Sequence, residues 1–196
     1  GLHEQQNRGG RCRGSQSRSK PIDDTTRPNL HTINAAIAST CKAMKASLAI
    51  LDEEIQELVR QNSIGSTFPP NCFIAMKAEF VEYESRRSLT VSFPVLEESL
   101  NPLRTMQGGF LVAAFDNVFG PLSYLAARVP CATLSLNTHF MRPVEPGDHL
   151  TVQANVIARG VQVLQMKGEA FNSRNKLVAA ASATAIVIGS QSQSTY

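Results

Sequence analysis

The chain has 196 residues, of which 42% are hydrophobic and 18% are charged, so one domain with a substantial core and some extensions is expected. Its net charge of +3 arises in the first 27 residues, which hold six Lys/Arg and three Asp/Glu, whereas the rest holds thirteen of each. A neutral body argues against nucleic-acid binding. The absence of a run of about 18 apolar residues argues against membrane insertion.

The four cysteines (Cys12, Cys41, Cys72 and Cys131) are scattered along the chain and lack the spacing of metal ligands. We therefore predict reduced thiols, no metal site and no other cofactor. Because the sequence also shows no signal-peptide pattern at its start, a cytoplasmic location is expected.

Both ends of the chain are polar. Residues 1–28 are rich in Arg, Gly, Ser and Gln, and such a composition buries too little apolar surface to order itself, so a disordered basic tail is predicted. A transit peptide is the alternative, although the amphipathic apolar face typical of one is missing. Residues 191–196 are predicted to form a short C-terminal tail.

Residues 29–66 are predicted to contain an N-terminal helix, over residues 30–62, that ends before Pro69-Pro70. Its apolar residues alternate in steps of four and three, which is typical of a narrow stripe along one helix face. The stripe is favoured to pack on its own domain, with an intermolecular coiled coil as the alternative. Its members are Ile37, Cys41, Met44, Leu48, Leu51, Ile55 and Leu58.

Residues 67–190 are predicted to form an α+β domain in which an antiparallel sheet wraps one long apolar helix. The helix runs from Gly108 to about Ala127, and short connections between the strands predict an antiparallel meander. The predicted strands lie within 73–84, 88–95, 132–141, 149–158, 161–172 and 176–188.

The apolar helix carries two features that indicate chemistry. Gly108 and Gly109 place bare N–H groups at its start, where a negative oxygen binds readily. Asp116 is a lone carboxylate in its interior, expected to be buried, and buried carboxylates are costly unless they are paired or used. Together these features predict acyl-transfer chemistry.

The residues around this helix resemble those of hotdog-fold acyl-CoA thioesterases of the PaaI-like, phenylacetate-pathway type. The similarity covers about residues 70–188, with six residues from Asn101 to Gln107 and nine from Gln107 to Asp116. It continues through the run Thr133-Leu-Ser-Leu-Asn-Thr-His-Phe-Met-Arg-Pro143. The resemblance implies a hotdog fold in which the sheet surrounds the long helix.

The resemblance also implies roles for individual residues. It makes Asp116 the catalytic carboxylate, as general base or nucleophile, and the N–H of Gly108 an oxyanion donor. It gives Asn101 the placement of water or thioester, and it gives Thr133 a hydroxyl contact from the opposing strand.

Gln107 departs from the family pattern, because many members carry His at this place. Its amide can still hold a carbonyl oxygen. Gly109 and Asn117, which follow Gly108 and Asp116 in the sequence, are predicted to bind the substrate.

Helix geometry predicts a site shared between subunits. Gly108 and Asp116 are eight residues apart, so their backbones lie ~12 Å apart on one helix, too far to act on one reacting group. A two-fold axis would place Gly108 of one copy opposite Asp116 of the other, and Ala113 and Ala114 near the midpoint would allow close approach. A homodimer or a dimer of dimers is expected.

These inferences predict an acyl-CoA thioesterase that hydrolyses an acyl thioester to a carboxylic acid and free coenzyme A. The alternative is a non-catalytic acyl-CoA-binding hotdog protein, either a ligand sensor or a structural subunit. An enoyl-thioester hydratase is less favoured, because its chemistry needs an acid–base pair that the sequence does not show.

Overall fold

The computed structural model describes residues 30–62 and 68–188. The chain forms two units, residues 1–37 and 38–196, and everything below concerns the second unit unless stated. The predicted tails at 1–28 and 191–196 lie outside the described residues, as does the segment 63–67.

The domain is built from three α-helices and six strands in the described ranges. The predicted N-terminal helix is confirmed as α1, and the long apolar helix is confirmed as α3 between its predicted ends. The elements are α1 (Leu30–Asn62), α2 (Asn71–Ala75), β1 (Glu79–Glu84), β2 (Ser88–Pro94), α3 (Gly108–Ala127), β3 (Cys131–Phe140), β4 (His149–Arg159), β5 (Val163–Phe171) and β6 (Leu177–Val187).

The six strands form one antiparallel sheet in the order β1-β2-β4-β5-β6-β3. The α+β prediction is confirmed, but the simple meander is wrong, because β3 lies at the far edge beside β6 and not between β2 and β4. The cause is α3, which leaves the β2 side of the sheet and crosses its face before β3 begins. Residues 141–148 then return the chain to the middle of the sheet. Val144 in this segment is fully buried.

The strand predicted over 73–84 is also shorter than expected. Asn71–Ala75 is the short helix α2, and Lys77 has a φ of 50°, so the chain turns before β1 begins at Glu79. Phe73 is a buried residue of α2, and its apolar side chain is the reason that the predicted strand included it.

The sheet curves around α3, and large aromatic side chains fill the space between them. Phe115 and Phe119 are fully buried and stack with their centroids 5.9 Å apart. They lie against Gly168 of β5, where an added Cβ would stand 2.9 Å from Phe119. Gly168 therefore allows the close approach of helix and sheet, and a side chain there would displace the aromatic pair.

The α3 helix is long and apolar enough to cross a membrane by length and composition. However, 61% of its most apolar 18-residue window is buried inside the domain. This burial is typical of a core helix, and the sheet provides the apolar surroundings.

The C-terminal half of α1 packs on the domain, as the favoured interpretation of its apolar stripe predicts. Leu51 and Leu58 are buried, and Leu48 and Ile55 pack partly against the core. Farther towards the N-terminus of the helix, Met44 is 38% exposed. The stripe is thus used by the domain only from about Leu48 onwards.

A buried tyrosine joins α1 to the β1–β2 hairpin. The Tyr83 hydroxyl donates a hydrogen bond to Glu54 Oε2 over 2.7 Å and accepts one from the Arg86 N–H over 2.9 Å. Ser85 Oγ donates to the other oxygen of the same carboxylate. Burial raises the pKa of the Tyr83 phenol to about 12, and Glu54 beside it adds to the rise.

We expect Tyr83→Phe to lower the free energy of unfolding by about 1–2 kcal/mol, because it leaves the Arg86 N–H without its acceptor and Glu54 without one donor. The folded pKa lies above the unfolded one, so the phenol's contribution is complete below about pH 10 and is lost as the pH rises towards 12. Urea unfolding should show a constant difference from wild type at neutral pH that shrinks above about pH 10. Ser85→Ala is the matched control, because it removes only an exposed donor to Glu54 and should cost less. Equal stabilities of Tyr83→Phe and wild type at neutral pH would contradict this.

Candidate functional site

One face of α3 is not covered by the sheet. We call it the open face of α3; its residues are Gly109, Val112, Ala113, Asp116, Gly120 and Tyr124, none of them fully buried in the single chain. The sequence-based expectation of a buried Asp116 is therefore wrong for the isolated subunit. The sheet wraps only one side of the helix, where Ala114 is fully buried, and Asp116 lies on the other side.

Asp116 and Thr133 form the first part of the predicted site. The Thr133 hydroxyl donates a hydrogen bond to Asp116 Oδ1 over 3.1 Å. It orients the carboxylate and leaves Oδ2 without a hydrogen bond to any described residue. An exposed carboxylate oriented in this way can accept a proton from water or attack a carbonyl carbon.

The start of α3 forms the second part of the site. Gln107 is the N-cap, with φ −66° and ψ 140°, and its side chain makes no capping hydrogen bond. Its carbonyl accepts from the N–H groups of Phe110 and Leu111, at 2.9 and 3.3 Å. The N–H groups of Gly108 and Gly109 have no acceptor among the described residues, so they are available to an anionic oxygen, aided by the helix dipole.

Phe140 lies against this second part and was not predicted from the sequence. Its ring stands 3.2 Å from where a Cβ of Gly108 would be, although 53% of the side chain is exposed. Phe140 escaped prediction because β3 has a bulge between Thr133 and Ser135, which shifts the alternation of side chains between the two faces of the strand by one residue. Strict alternation from Thr133 would place Phe140 on the opposite face.

Asn101 organises the loop before the second part of the site. Its Oδ1 accepts from the N–H groups of Leu103 and Thr105, and its Nδ2 donates to Thr105 Oγ1 over 2.9 Å. The loop is joined to the body because the N–H of Gln107 donates to the carbonyl of Ser99 over 2.8 Å. Asn101 thus shapes the turn that presents Gly108, and one of its amide hydrogens is already used.

Asn117 is buried and faces the opposite way from its neighbour Asp116. Its Nδ2 donates to the carbonyl of Ala113 over 3.0 Å and contacts Met76 Sδ at 3.4 Å, and its Oδ1 accepts from Cys72 Sγ. These contacts join α2 to α3. The substrate-binding role predicted for Asn117 has no open contact surface in the single chain.

Tyr124 extends the site along the open face of α3. Burial raises the pKa of its phenol, and the electrostatic influence of Cys131 and of Asp116 acts in the same direction. Tyr124 and Asp116 are eight residues apart on the open face of α3. Cys131 is buried and burial raises the pKa of its thiol, so it is unsuited as a nucleophile.

The structure thus brings the predicted residues together in two groups. Asp116 with Thr133 is one group, and Gln107, Gly108 and Gly109 with the Asn101 loop are the other. Eight helical residues separate Gly108 from Asp116, a distance of ~12 Å along α3. Within the described residues, no group of three or more His, Cys, Asp or Glu could hold a metal ion.

Comparison with known proteins finds similarity in sequence and in fold. Residues 104–179 match the family model of the thioesterase superfamily. No curated protein sequence matches the chain significantly.

Solved structures share the fold. The PaaI protein of E. coli, from the phenylacetic acid degradation operon, has a TM-score of 0.60 at 23% identity and aligns over 67% of this chain and 94% of its own. The TT0310 protein of Thermus thermophilus has a TM-score of 0.58 at 23% identity, over 62% of this chain and 100% of its own. The protein smu.793 of Streptococcus mutans UA159, solved bound to acetyl CoA, has a TM-score of 0.55 at 20% identity, over 63% and 93%.

The alignments cover almost the whole length of these structures, whereas about a third of the present chain lies outside them. At such identities the likeness establishes the fold, and the family model supplies the sequence match for residues 104–179. The resemblance seen in the sequence is therefore confirmed. This chain has the hotdog fold of the PaaI proteins, and its residues 104–179 match the model of the thioesterase superfamily.

Proposed function

We propose that this protein is an acyl-CoA thioesterase whose active site is shared between two copies of the chain. The observation that carries the proposal is the pair of incomplete groups on the open face of α3. Asp116, oriented by Thr133, lies at one end, and the free N–H groups of Gly108 and Gly109 lie at the other. Hydrolysis of a thioester needs both kinds of group at one carbonyl. The neighbour solved with acetyl CoA supports the substrate class.

A single two-fold axis completes the site. An axis near Val112, the midpoint of the two groups, pairs α3 with its copy in antiparallel orientation and places Gly108 opposite the partner copy's carboxylate. The strands support the same axis, because Phe140 lies beside Gly108 and Thr133 lies beside Asp116. A two-fold axis that places the Thr133 end of one β3 strand beside the Phe140 end of the other brings the two β3 strands together in antiparallel pairing. The β3 strand is at the sheet edge and mostly exposed, which favours such pairing.

This arrangement supports the following reaction. A water molecule attacks the thioester carbonyl carbon while Asp116 accepts its proton, and the N–H groups of Gly108 and Gly109 bind the oxyanion that forms. As the intermediate collapses the C–S bond breaks, and the coenzyme A thiolate takes up the proton held by Asp116. The alternative route is direct attack by Asp116, which breaks the C–S bond, expels the coenzyme A thiolate and forms an acyl anhydride that water then cleaves. Both routes give a carboxylic acid and free coenzyme A.

Release of free thiol, measured across acyl-CoA substrates of different chain length and aromaticity, tests the proposal. Turnover that follows subunit concentration through a dimerisation midpoint is expected, because each site needs two chains. Tight acyl-CoA binding without any thiol release would instead identify the non-catalytic binder.

Gln107 supplies a prediction about pH. Its side chain is exposed beside the oxyanion donors, and a neutral amide does not titrate, so kcat/KM should be flat across about pH 6–8. Gln107→His should introduce an inflection near the range in which imidazole titrates, about pH 6.5. The exposed His139 and His149 are present in both proteins, so the difference between the two profiles isolates residue 107.

Gln107→Ala is the matched control for the hydrogen bond between the Gln107 amide and the substrate. If the amide makes one net hydrogen bond to the thioester or to its water, the loss should be about 0.5–1.5 kcal/mol in kcat/KM. An unchanged kcat/KM would mean that Gln107 only shapes the turn.

A further inference from the structure

A large apolar groove lies between α1 and the α2–β1 region, outside the site described above. We call it the α1 groove. It has a volume of about 990 Å³, which is at the upper end of the range for small-molecule sites. One wall is formed by the α1 side chains Leu48, Leu51, Ile55 and Val59.

The opposite wall of the α1 groove is aromatic. Phe68 stacks on Phe80 with centroids 6.1 Å apart, and Phe80 stacks on Phe73 at 4.6 Å. All three rings line the groove. Apolar walls on both sides indicate an apolar ligand, since a hydrocarbon chain that lies between them leaves no polar group of its own unsatisfied.

The charges at the α1 groove exclude an anionic head group. Among the described residues that line the groove, the only cationic side chain, that of Arg60, is paired with Glu57 at 2.7 Å. The acidic residues Asp52 and Glu79 also line the groove and repel a carboxylate or phosphate. The ligand portion that fits is therefore an uncharged chain, whose polar end lies elsewhere.

A second, smaller cavity, which we call the neck, lies between the α1 groove and α3. This neck has a volume of about 40 Å³ and shares Ile55, Val59 and Phe68 with the groove. Its far side is formed by α3 residues, among them Pro121 and Tyr124. The neck therefore ends at Tyr124, which lies on the open face of α3 eight residues after Asp116.

The path continues along the open face of α3 to the catalytic carboxylate. Gly120 lies one helical turn beyond Asp116 and precedes Tyr124 by another turn, and an added Cβ there would meet nothing within 4 Å. These residues mark a route from Asp116 over Gly120 and beside Tyr124 to the neck and the α1 groove.

From these observations we propose that the α1 groove holds the hydrocarbon tail of a long-chain fatty acyl thioester whose carbonyl lies at Asp116. The inference rests on the proposed thioesterase function and specifies its substrate. Long acyl chains reach the groove, whereas short ones end before the neck. The walls of the groove therefore set chain-length preference without touching the reacting atoms.

Filling the α1 groove tests this assignment. Val59 lines both groove and neck, so Val59→Trp should block the tail, and Ala49→Trp on the exposed side of the same helix is the matched control. We expect kcat/KM for hexadecanoyl-CoA to fall by about 10–100-fold, since each methylene kept out of apolar surroundings costs roughly fourfold. Hydrolysis of butanoyl-CoA should stay within about twofold, and the control should match wild type on both substrates.

A second variant and a binding assay separate the two proposals. Ala78→Phe fills the α1 groove from the β1 side and guards against a folding defect in the first variant, with melting temperature as the check. Calorimetric titration of hexadecanoyl-CoA into the Asp116→Asn protein, with and without Val59→Trp, reports binding without turnover. Weaker binding in the filled variant supports the groove even if no acyl-CoA is hydrolysed, an outcome that would remove only the enzymatic proposal. Equal chain-length profiles in filled and unfilled active proteins would overturn the groove assignment and leave the thioesterase intact.

Discussion

Replacing Asp116 by asparagine is expected to lower kcat by roughly 10²–10⁴ while leaving the fold and the assembly unchanged. The side chain is exposed on the open face of α3 and contacts Thr133 through Oδ1 alone, so an amide of the same shape keeps that hydrogen bond. What it loses is the ability to accept a proton or to attack. KM should change little, because the thioester is held by other groups.

Thr133 provides the matched control for this measurement. Thr133→Val removes the donor that orients Asp116 and should cost only about 0.5–1.5 kcal/mol in kcat/KM, whereas Thr133→Ser should restore most of it. Free-thiol release and size-exclusion chromatography on the same preparations check activity and assembly together. Near-normal turnover by a correctly assembled Asp116→Asn protein would remove this residue from the mechanism.

The parts of the fold that follow local rules could be predicted from the sequence. The α3 helix begins at Gly108 and ends at Ala127, as predicted, because a glycine pair opens an apolar run and Arg128 closes it in the left-handed region at φ 66°. Alternation of apolar residues predicted the strands of the second half of the domain to within a few residues. The packed half of α1 also followed from its stripe.

Other features depend on partners that lie far away in the sequence. Hydropathy marks α3 as apolar all round, but it does not distinguish the face covered by the sheet from the face left open around Asp116. The position of β3 beside β6 depends on how α3 crosses the sheet. The bulge after Thr133, which turns Phe140 towards Gly108, has no composition signal of its own.

The same limits apply to the candidate site. The spacing from Gly108 to Asp116 predicted correctly that one helix holds both groups apart. It did not reveal that the amide of Asn117 is engaged with Cys72, Met76 and Ala113. Neither could it predict the α1 groove, whose walls come from segments separated in sequence.

Mixing two inactive variants should restore activity if the site is shared. The first variant is Asp116→Asn, and the second is Gly108→Pro, which removes an oxyanion donor. Proline is well tolerated at the first position of a helix, and Gln107 before it already has the extended conformation, at ψ 140°, that a following proline requires. Gly108→Ala is the matched control, because it adds a comparable Cβ against Phe140 and keeps the N–H.

Each variant alone should lose roughly 10²-fold or more in kcat, since removing one oxyanion donor costs about as much as that. In a heterodimer one site combines the intact Gly108 of one chain with the intact Asp116 of the other, while the second site carries both defects. A refolded equimolar mixture should therefore recover about a quarter of the wild-type activity, because half of the dimers are mixed and each has one working site of two. When the two folded variants are mixed without refolding, the recovery should follow the kinetics of subunit exchange. If the mixture stayed inactive although mass spectrometry showed mixed dimers, each chain would have to supply both groups by itself, a geometry that the ~12 Å between them on one helix opposes.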